Sequence, residues 1–273
     1  MAKRRFSGLA SWLTLRFWLH QRNAIAAAIA FYTCLPIPLG WKLEFEGIAK
    51  LAPFVGIFLG GVLGLVDWGL GLMAMPVLTR SALIVGLSIA ITGGLHLDGA
   101  IDTADGLAIP DANKRLAAMQ DSLVGAFGTM AAVMLLLLKT VALSELVGDR
   151  ALALMAAAGW GRWGQVVAIV RYPYLKASGK GAIHKASIQS AVALIPGAIA
   201  LVGLSLLQVW LGGDRWLVGI GMALGGSAIA ILTPAWFNHK LGGHTGDTYG
   251  AVVEWTEALL LCLLTALAAA SSV

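Results

Sequence analysis

The chain has 273 residues, 59% of them hydrophobic and only 12% charged, where a soluble domain carries about 25% Asp, Glu, Lys and Arg. So few charges cannot coat a water-soluble surface, and with a net charge of +5 and a mean hydropathy of +0.83 the composition excludes a disordered chain and a soluble nucleic-acid binder. Two cysteines, Cys34 and Cys262, are too few for a disulfide scaffold or a zinc cluster.

The pattern is that of an all-α, polytopic integral membrane protein. Residues 1–22 form a basic N-terminal segment. The stretch Phe6 to Gln21 is interrupted by Arg16 and His20 and lacks a small-residue cleavage site, so no removed signal peptide is expected. Residues 23–39 run into Pro36 and Pro38, too short to span, and predict an interfacial or re-entrant helix ending at those prolines. Uncharged stretches then predict seven transmembrane helices, near 51–75, 77–97, 127–148, 151–171, 188–211, 216–237 and 251–272. Residues 23–273 read as a single transmembrane catalytic domain.

With alternate connections placed on one side, fourteen Lys and Arg fall on the N-terminal side, and only Arg80, Arg150 and Arg215 on the other. The positive-inside rule therefore places the N-terminus and the loops 98–126, 172–187 and 238–250 in the cytoplasm. The positive charge is topological, in contact with membrane lipid, and no nucleic acid is expected as a partner.

Of 14 acidic residues, eight fall in two groups. Asp98, Asp102 and Asp105 stand at i, i+4 and i+7 in Gly93-Gly-Leu-His-Leu-Asp98-Gly-Ala-Ile-Asp102-Thr-Ala-Asp105-Gly106. In a helix they share an arc of about 60°, with Asp111 and Asp121 following. Three carboxylates this close repel one another unless a cation lies between them, and a hard divalent ion such as Mg²⁺ takes oxygen ligands of this kind. A solvated acidic helix face is the plainer alternative. His96 lies about 160° from Asp98 on the same wheel and reads more readily as a packed histidine than as a ligand.

The second group, in Lys240-Leu-Gly-Gly-His244-Thr245-Gly246-Asp247-Thr248-Tyr249-Gly250, continues to Glu254 and Glu257, which enter the last span on one face with Asp247. Glycines and hydroxyls suit backbone contacts to phosphate, and ionisable groups inside a membrane mark a functional site by default. Asp121 and Ser122, before the third span, are candidates for a helix cap or for a metal or substrate contact. Lys139 and Arg162, inside spans, need substrate phosphate, the acidic groups or the interface as partner. The stretch Arg171-Tyr-Pro-Tyr-Leu-Lys176, with Lys180 and Lys185, suits either a polyanion or lipid phosphate.

At these residues the chain resembles the cobalamin synthase (adenosylcobinamide-GDP ribazoletransferase) family. The resemblance runs from about residue 24 to the last span, through Thr33-Cys-Leu-Pro36-Ile-Pro38, Pro53-Phe-Val-Gly56, the His96-Leu-Asp98-Gly block, Asp121-Ser-Leu-Val-Gly125, Gly161-Arg162 and the Thr245-Gly-Asp247 block with Glu254 and Glu257. It implies an Mg²⁺-dependent membrane enzyme that joins α-ribazole, or its 5′-phosphate, to adenosylcobinamide-GDP and releases GMP. Asp98, Asp102, Asp105 and Asp247 are then expected to be metal ligands and catalytic groups. His96, Asp121, Ser122, Arg162, Arg171, Lys240, Thr245, Glu254 and Glu257 are expected to bind substrate. Cys34 stands where the family is expected to carry a basic residue, and Leu123 where it commonly has Arg, which shifts phosphate contacts toward Arg162, Arg171 or Lys240. The rival readings are a cation-coupled transporter and a CDP-alcohol phosphotransferase. The latter has an Asp-Gly-x2-Ala-Arg pattern, which differs from Asp98-Gly-Ala-Ile-Asp102.

Overall fold

The computed structural model describes residues 15–121, 123–146, 148, 150–188 and 190–271, and within these the regular secondary structure is helical throughout, with one isolated β-bridge, Tyr174 to His244. Helix α1 (Leu15–Tyr32) passes through residue 22, so the basic segment continues into the membrane domain without a structural break. It stops four residues before Pro36. Thr33 turns back on Ile29 O through both its amide and its hydroxyl, and Cys34 N–H donates to Ile91 O at 2.6 Å.

A 3₁₀ turn (Ile48–Leu51) leads into α2 (Ala52–Leu72). Gly56, Gly60 and Gly64 recur every four residues on one face of α2, and a Cβ at each would lie 2.2 Å from Ala158 O, 2.4 Å from Met155 Cα and 2.5 Å from Ala151 Cβ. This small-residue seam lets α2 lie backbone to backbone on α7 (Arg150–Arg171), the close packing by which membrane helices associate without a hydrophobic driving force.

Helix α3 (Val77–Thr92) ends at Gly93 and Gly94, whose φ values of 60° and 70° are left-handed. The chain bends there by 92° into α4 (Leu95–Ala108), so the span expected at 77–97 stops at Thr92 and the acidic stretch leaves the direction of the spans. A short helix, α5 (Ala112–Ala118), leads to α6 (Ala126–Glu145). After α7 come α8 (Lys180–Ser187) and α9 (Ile195–Gly212), and the chain then turns at Gly213, φ 53°. It returns through α10 (Trp216–Ile220), a π-helical turn (Gly221–Gly225) and α11 (Gly226–Leu241). The last helix, α12 (Gly246–Ala270), closes the bundle.

Helix α7 is the axis of the fold and is almost entirely buried from Ala153 to Ile169. Its glycines admit neighbours on several sides: a Cβ at Gly159 would meet Leu201 of α9, at Gly161 Val253 O of α12, and at Gly164 Ala230 O of α11.

Among the described residues, four helical runs are long and apolar enough to cross a membrane, or five if the bent α3–α4 pair counts as one. Three physical reasons separate this from the seven expected spans. Helix α7 is sheathed by other helices and can keep Arg162 and Gln165, so it is less apolar than a lipid-facing span. Helix α3 has only 16 residues before its bend. The run Ala191–Leu241 counts as one, yet it doubles back at Gly213, with Gly219 of α10 seated against Val209 of α9.

Candidate active site

Asp98 and Asp247 meet at one end of the bundle because two glycines let α4 and α12 cross almost in contact. A Cβ at Gly99 would lie 2.5 Å from Asp247 O, and one at Gly250 would lie 2.8 Å from His96 O. The start of α12 is fixed by a reciprocal cap, in which the Thr245 hydroxyl accepts from Thr248 N–H and the Thr248 hydroxyl accepts from Thr245 N–H. His244 locks the loop before it. Its Nε2 meets Pro234 O at 3.1 Å and its Nδ1 meets Thr248 Oγ1 at 3.0 Å. A carbonyl only accepts, so Nε2 carries the proton, and burial lowers the pKa to about 4, which keeps the ring neutral. The backbone of His244 is bridged to Pro173 O and Leu175 N–H, bringing Lys176 to the site.

Asp247 Oδ2 accepts from Lys176 Nζ at 2.8 Å and from the Thr245 hydroxyl at 3.1 Å, leaving Oδ1 free of both. Asp98 is exposed, and with Lys176 and Asp247 it lines a cavity of about 250 Å³. Asp102 lies within electrostatic reach of both. Burial, then the carboxylates of Asp98 and Asp247, raise its pKa to about 6, opposed by Lys176. Three carboxylates against a single lysine form an anionic cluster with oxygen donors, the chemistry that a hard divalent cation takes. Among the described residues no three His, Cys, Asp or Glu side chains are grouped so that they could hold a metal ion by themselves, so Asp98, Asp102 and Asp247 neighbour one another without closing on a single point.

The remaining expected residues separate by position. Asp105 shares the acidic face of α4, but its two oxygens each accept a backbone N–H at 2.8 Å, from Gly125 and Gly128. It caps α6 from outside, a place open to it because any side chain at Gly125 or Gly128 would fill it. Expected as a metal ligand, it has its carboxylate turned to these amides instead. Asp121, exposed, accepts from Leu123 N–H in a local turn, and Ser122 lies outside the described residues. Thr245 is fully buried in its cap.

Arg162, Glu254 and Glu257, expected to bind substrate, are partnered with one another and with Lys139 in the bundle interior. Lys139 Nζ reaches both glutamates at 2.6 Å, and Arg162 Nη1 reaches Glu257 at 3.0 Å. Two cations against two carboxylates neutralise groups that could not be buried singly. Arg171 is exposed at the end of α7 and lines neither this cavity nor the larger apolar one behind α4. Lys240 is exposed over the Trp236 ring at 5.8 Å. His96 is buried against Tyr32, ring centroids 6.1 Å apart, and its edge reaches the cavity wall.

Some residues of consequence escaped the sequence. Lys176 was visible only as one of several cations, and Gln165, a polar side chain inside a span, was a signal of the kind that marks membrane sites. Asp67 was another. At the opposite end of the bundle its carboxylate takes a bidentate contact from Arg150, at 2.8 and 2.7 Å, and faces Arg80 at 3.0 Å. A cavity of about 680 Å³ behind α4 is walled by Trp236, Phe237 and Trp255 with no ionisable side chain. Another of about 680 Å³, between the end of α1 and the α3–α4 bend, reaches Asp98 alone of the acidic cluster, whereas the cavity of about 250 Å³ brings Asp98, Lys176 and Asp247 together.

The family model described as cobalamin-5-phosphate synthase matches residues 24–265. The adenosylcobinamide-GDP ribazoletransferase of Trichormus variabilis is 59% identical over 243 residues, 89% of this chain and 96% of the relative. Those of a Synechococcus and a Synechocystis strain are 52% and 45% identical, covering 86% and 92% of this chain and 92% and 97% of the relatives. No solved structure matches. With a matched region that takes in both acidic segments and their supporting glycines, the chain belongs to the cobalamin-5-phosphate synthase family.

Proposed function

We propose that this chain transfers the cobinamide phosphate moiety of adenosylcobinamide-GDP to α-ribazole or its 5′-phosphate, with release of GMP. The observation that carries the reading is that Asp98, Asp247 and Lys176 line one open cavity with Asp102 in electrostatic reach of all three, in a chain with relatives that bear that enzyme's name.

The reaction forms a bond from a ribazole hydroxyl oxygen to the cobinamide-linked phosphorus and breaks the bond from that phosphorus to the GMP oxygen. Such transfers are catalysed mainly by positioning and charge neutralisation. Lys176 is placed to meet a diphosphate oxygen, and Asp247 Oδ1 is the acceptor available for the hydroxyl proton. Asp98 and Asp102, with Asp247, are the residues that would hold Mg²⁺, whose charge when bound offsets that of the diphosphate. The fit rests on their all-oxygen donor set and on the burial and mutual repulsion that raise Asp102; since no three of them close on one ion, diphosphate oxygens and water would supply the remaining ligands.

The site end carries Lys42, Lys50, Lys114, Arg115, Arg171, Lys176, Lys185 and Lys240, while Arg80 and Arg150 at the far end are consumed by Asp67. By the positive-inside rule the site faces the cytoplasm of a bacterial inner membrane, where soluble nucleotides reach it.

Detergent-solubilised protein given adenosylcobinamide-GDP, Mg²⁺ and either ribazole form should release GMP, and Asp98→Asn should not. Ion flux in proteoliposomes with no GMP formed would replace this reading with a transporter.

A further inference from the structure

We propose that the inner wall of the cavity beside Asp98 and Asp247 is the seat of the guanine base of the nucleotide substrate, read by Gln165, His184 and Tyr249. The inference rests on the reaction proposed above and adds the base specificity of its leaving nucleotide.

Four polar side chains on this wall are almost fully buried: His96 at 2% exposure, Gln165 at 4%, His184 at 4% and Tyr249 at 2%. Five of their atoms have no hydrogen-bond partner, namely His96 Nε2, Gln165 Oε1, both ring nitrogens of His184 and the Tyr249 hydroxyl. Each such orphan costs about 1–3 kcal/mol, and native proteins keep few of them. Of thirteen such atoms among the described residues these five belong to side chains that line one cavity, and a polar ligand seated there, with a small turn of those side chains, would complete them.

The wall is also aromatic. Tyr174 and Tyr249 face each other at 5.8 Å and 34°, and Phe31 stands edge-on to His184 at 4.7 Å. Flat heterocycles stack on surfaces of this kind. At about 250 Å³ the cavity is smaller than the roughly 300–1,000 Å³ of a drug-sized ligand site, enough for a base and far short of a corrin ring.

Hydrogen-bonding capacity selects between the two bases in the reaction. A benzimidazole joined to ribose keeps at most one ring acceptor and no N–H. Guanine presents N7 and O6 as acceptors and N1–H and the 2-amino group as donors. Gln165, whose side chain also reaches the Tyr32 hydroxyl, leaves its Oε1 without a donor. His184, whose pKa burial lowers, stays neutral and offers one donor and one acceptor. The guanine edge answers both, and the same cavity places Lys176 and Asp98 beside the phosphates attached to the base through its ribose.

The test uses the full solubilised chain and nucleoside monophosphates as probes. GMP should compete with adenosylcobinamide-GDP at least about 10-fold better than AMP, with IMP between them, since each mismatched buried group is worth about a factor of ten. Gln165→Leu and His184→Phe should each weaken GMP binding, read by calorimetry, about 10-fold while leaving the KM for ribazole within about twofold. Equal competition by GMP and AMP would overturn the assignment. So would variants that raise the KM for ribazole and leave GMP binding intact, because the pocket would then hold the ribazole base. Competition on the unaltered protein decides the matter if a variant fails to fold. GMP binding without any GMP release from adenosylcobinamide-GDP would instead defeat the proposed reaction and spare the subsite.

Discussion

Replacing Gly99 by Ala tests whether the α4–α12 crossing builds the site. The added methyl would lie 2.5 Å from Asp247 O, 3.0 Å from its Cα and 3.1 Å from its carbonyl carbon, about 1 Å inside ordinary contact. All three are backbone atoms, so no side-chain rotation relieves the overlap. Helix α4 must retreat from α12 and carry Asp98 and Asp102 with it. Overpacking of this size costs about 1–3 kcal/mol, and a displacement near 1 Å of reacting groups costs about 100-fold in rate. Gly250→Ala, at 2.8 Å from His96 O, strains the same crossing from the other helix and should act alike. Gly86→Ala on α3 is the control, because nothing lies within 4 Å of its Cβ position. The assay is the rate of GMP release by solubilised protein at saturating substrates, with helicity checked by circular dichroism. Retention of the full rate by Gly99→Ala would refute the reasoning, since the pair of helices would then not be what brings the carboxylates together.

Other expectations rest on the same geometry. Lys139→Met strips Glu254 of its partner and Glu257 of one of two, and should destabilise the solubilised protein by about 3–5 kcal/mol in thermal unfolding; a loss under about 1 kcal/mol would mean that these carboxylates are hydrated. Asp105→Ala removes the acceptor for two α6 amides and should cost about 0.5–2 kcal/mol, whereas Asp98→Asn should lower activity without lowering the melting temperature. His244 has a folded pKa of about 4 against 6.5 unfolded, so its contribution of roughly 3 kcal/mol is complete above pH 6.5 and is lost as the pH falls toward 4. His184 shifts in the same direction. Stability measured from pH 7 to 4 should therefore fall less steeply in His244→Asn, and an unchanged slope would contradict the neutral buried ring.

The sequence carried the helical class, the membrane and the pairing of the two acidic segments, because each is written in composition or in local spacing. The i, i+4, i+7 acids do share a helix face, since α4 is helical through all three. What spacing cannot show is which way a carboxylate turns once a neighbouring helix end comes close. Asp105 differs from Asp98 only in having the open amides of Gly125 and Gly128 beside it, a contact made across about 20 residues of chain. Glu254 and Glu257 read as a site because an ionisable group in a membrane usually is one, and the partners that neutralise them, Lys139 and Arg162, come from two other helices. The bend after α3 was present as Gly93-Gly94, yet a glycine pair does not reveal its angle. Lys176 reaches Asp247 only because the His244 backbone joins the Pro173–Leu175 segment.

The scarcity of acid then acquires a finer meaning. Each ionised group near the hydrocarbon must be partnered, capped or put to use, and several carboxylates follow that rule. Asp67 closes on Arg150 and Arg80, Glu254 and Glu257 on Lys139 and Arg162, Asp105 on a helix end, and Asp111 on Asn113 N–H. Within the two acidic segments this leaves Asp98, Asp102 and Asp247, with only Lys176 among them. These structural acids are matched to a partner of the chain's own, whereas Asp98 and Asp247 line one cavity with Asp102 in electrostatic reach of both. A cation and a nucleotide are the pair of charges that would complete such a deficit, and the imbalance itself, more than any single residue, is the ground for the site proposed above.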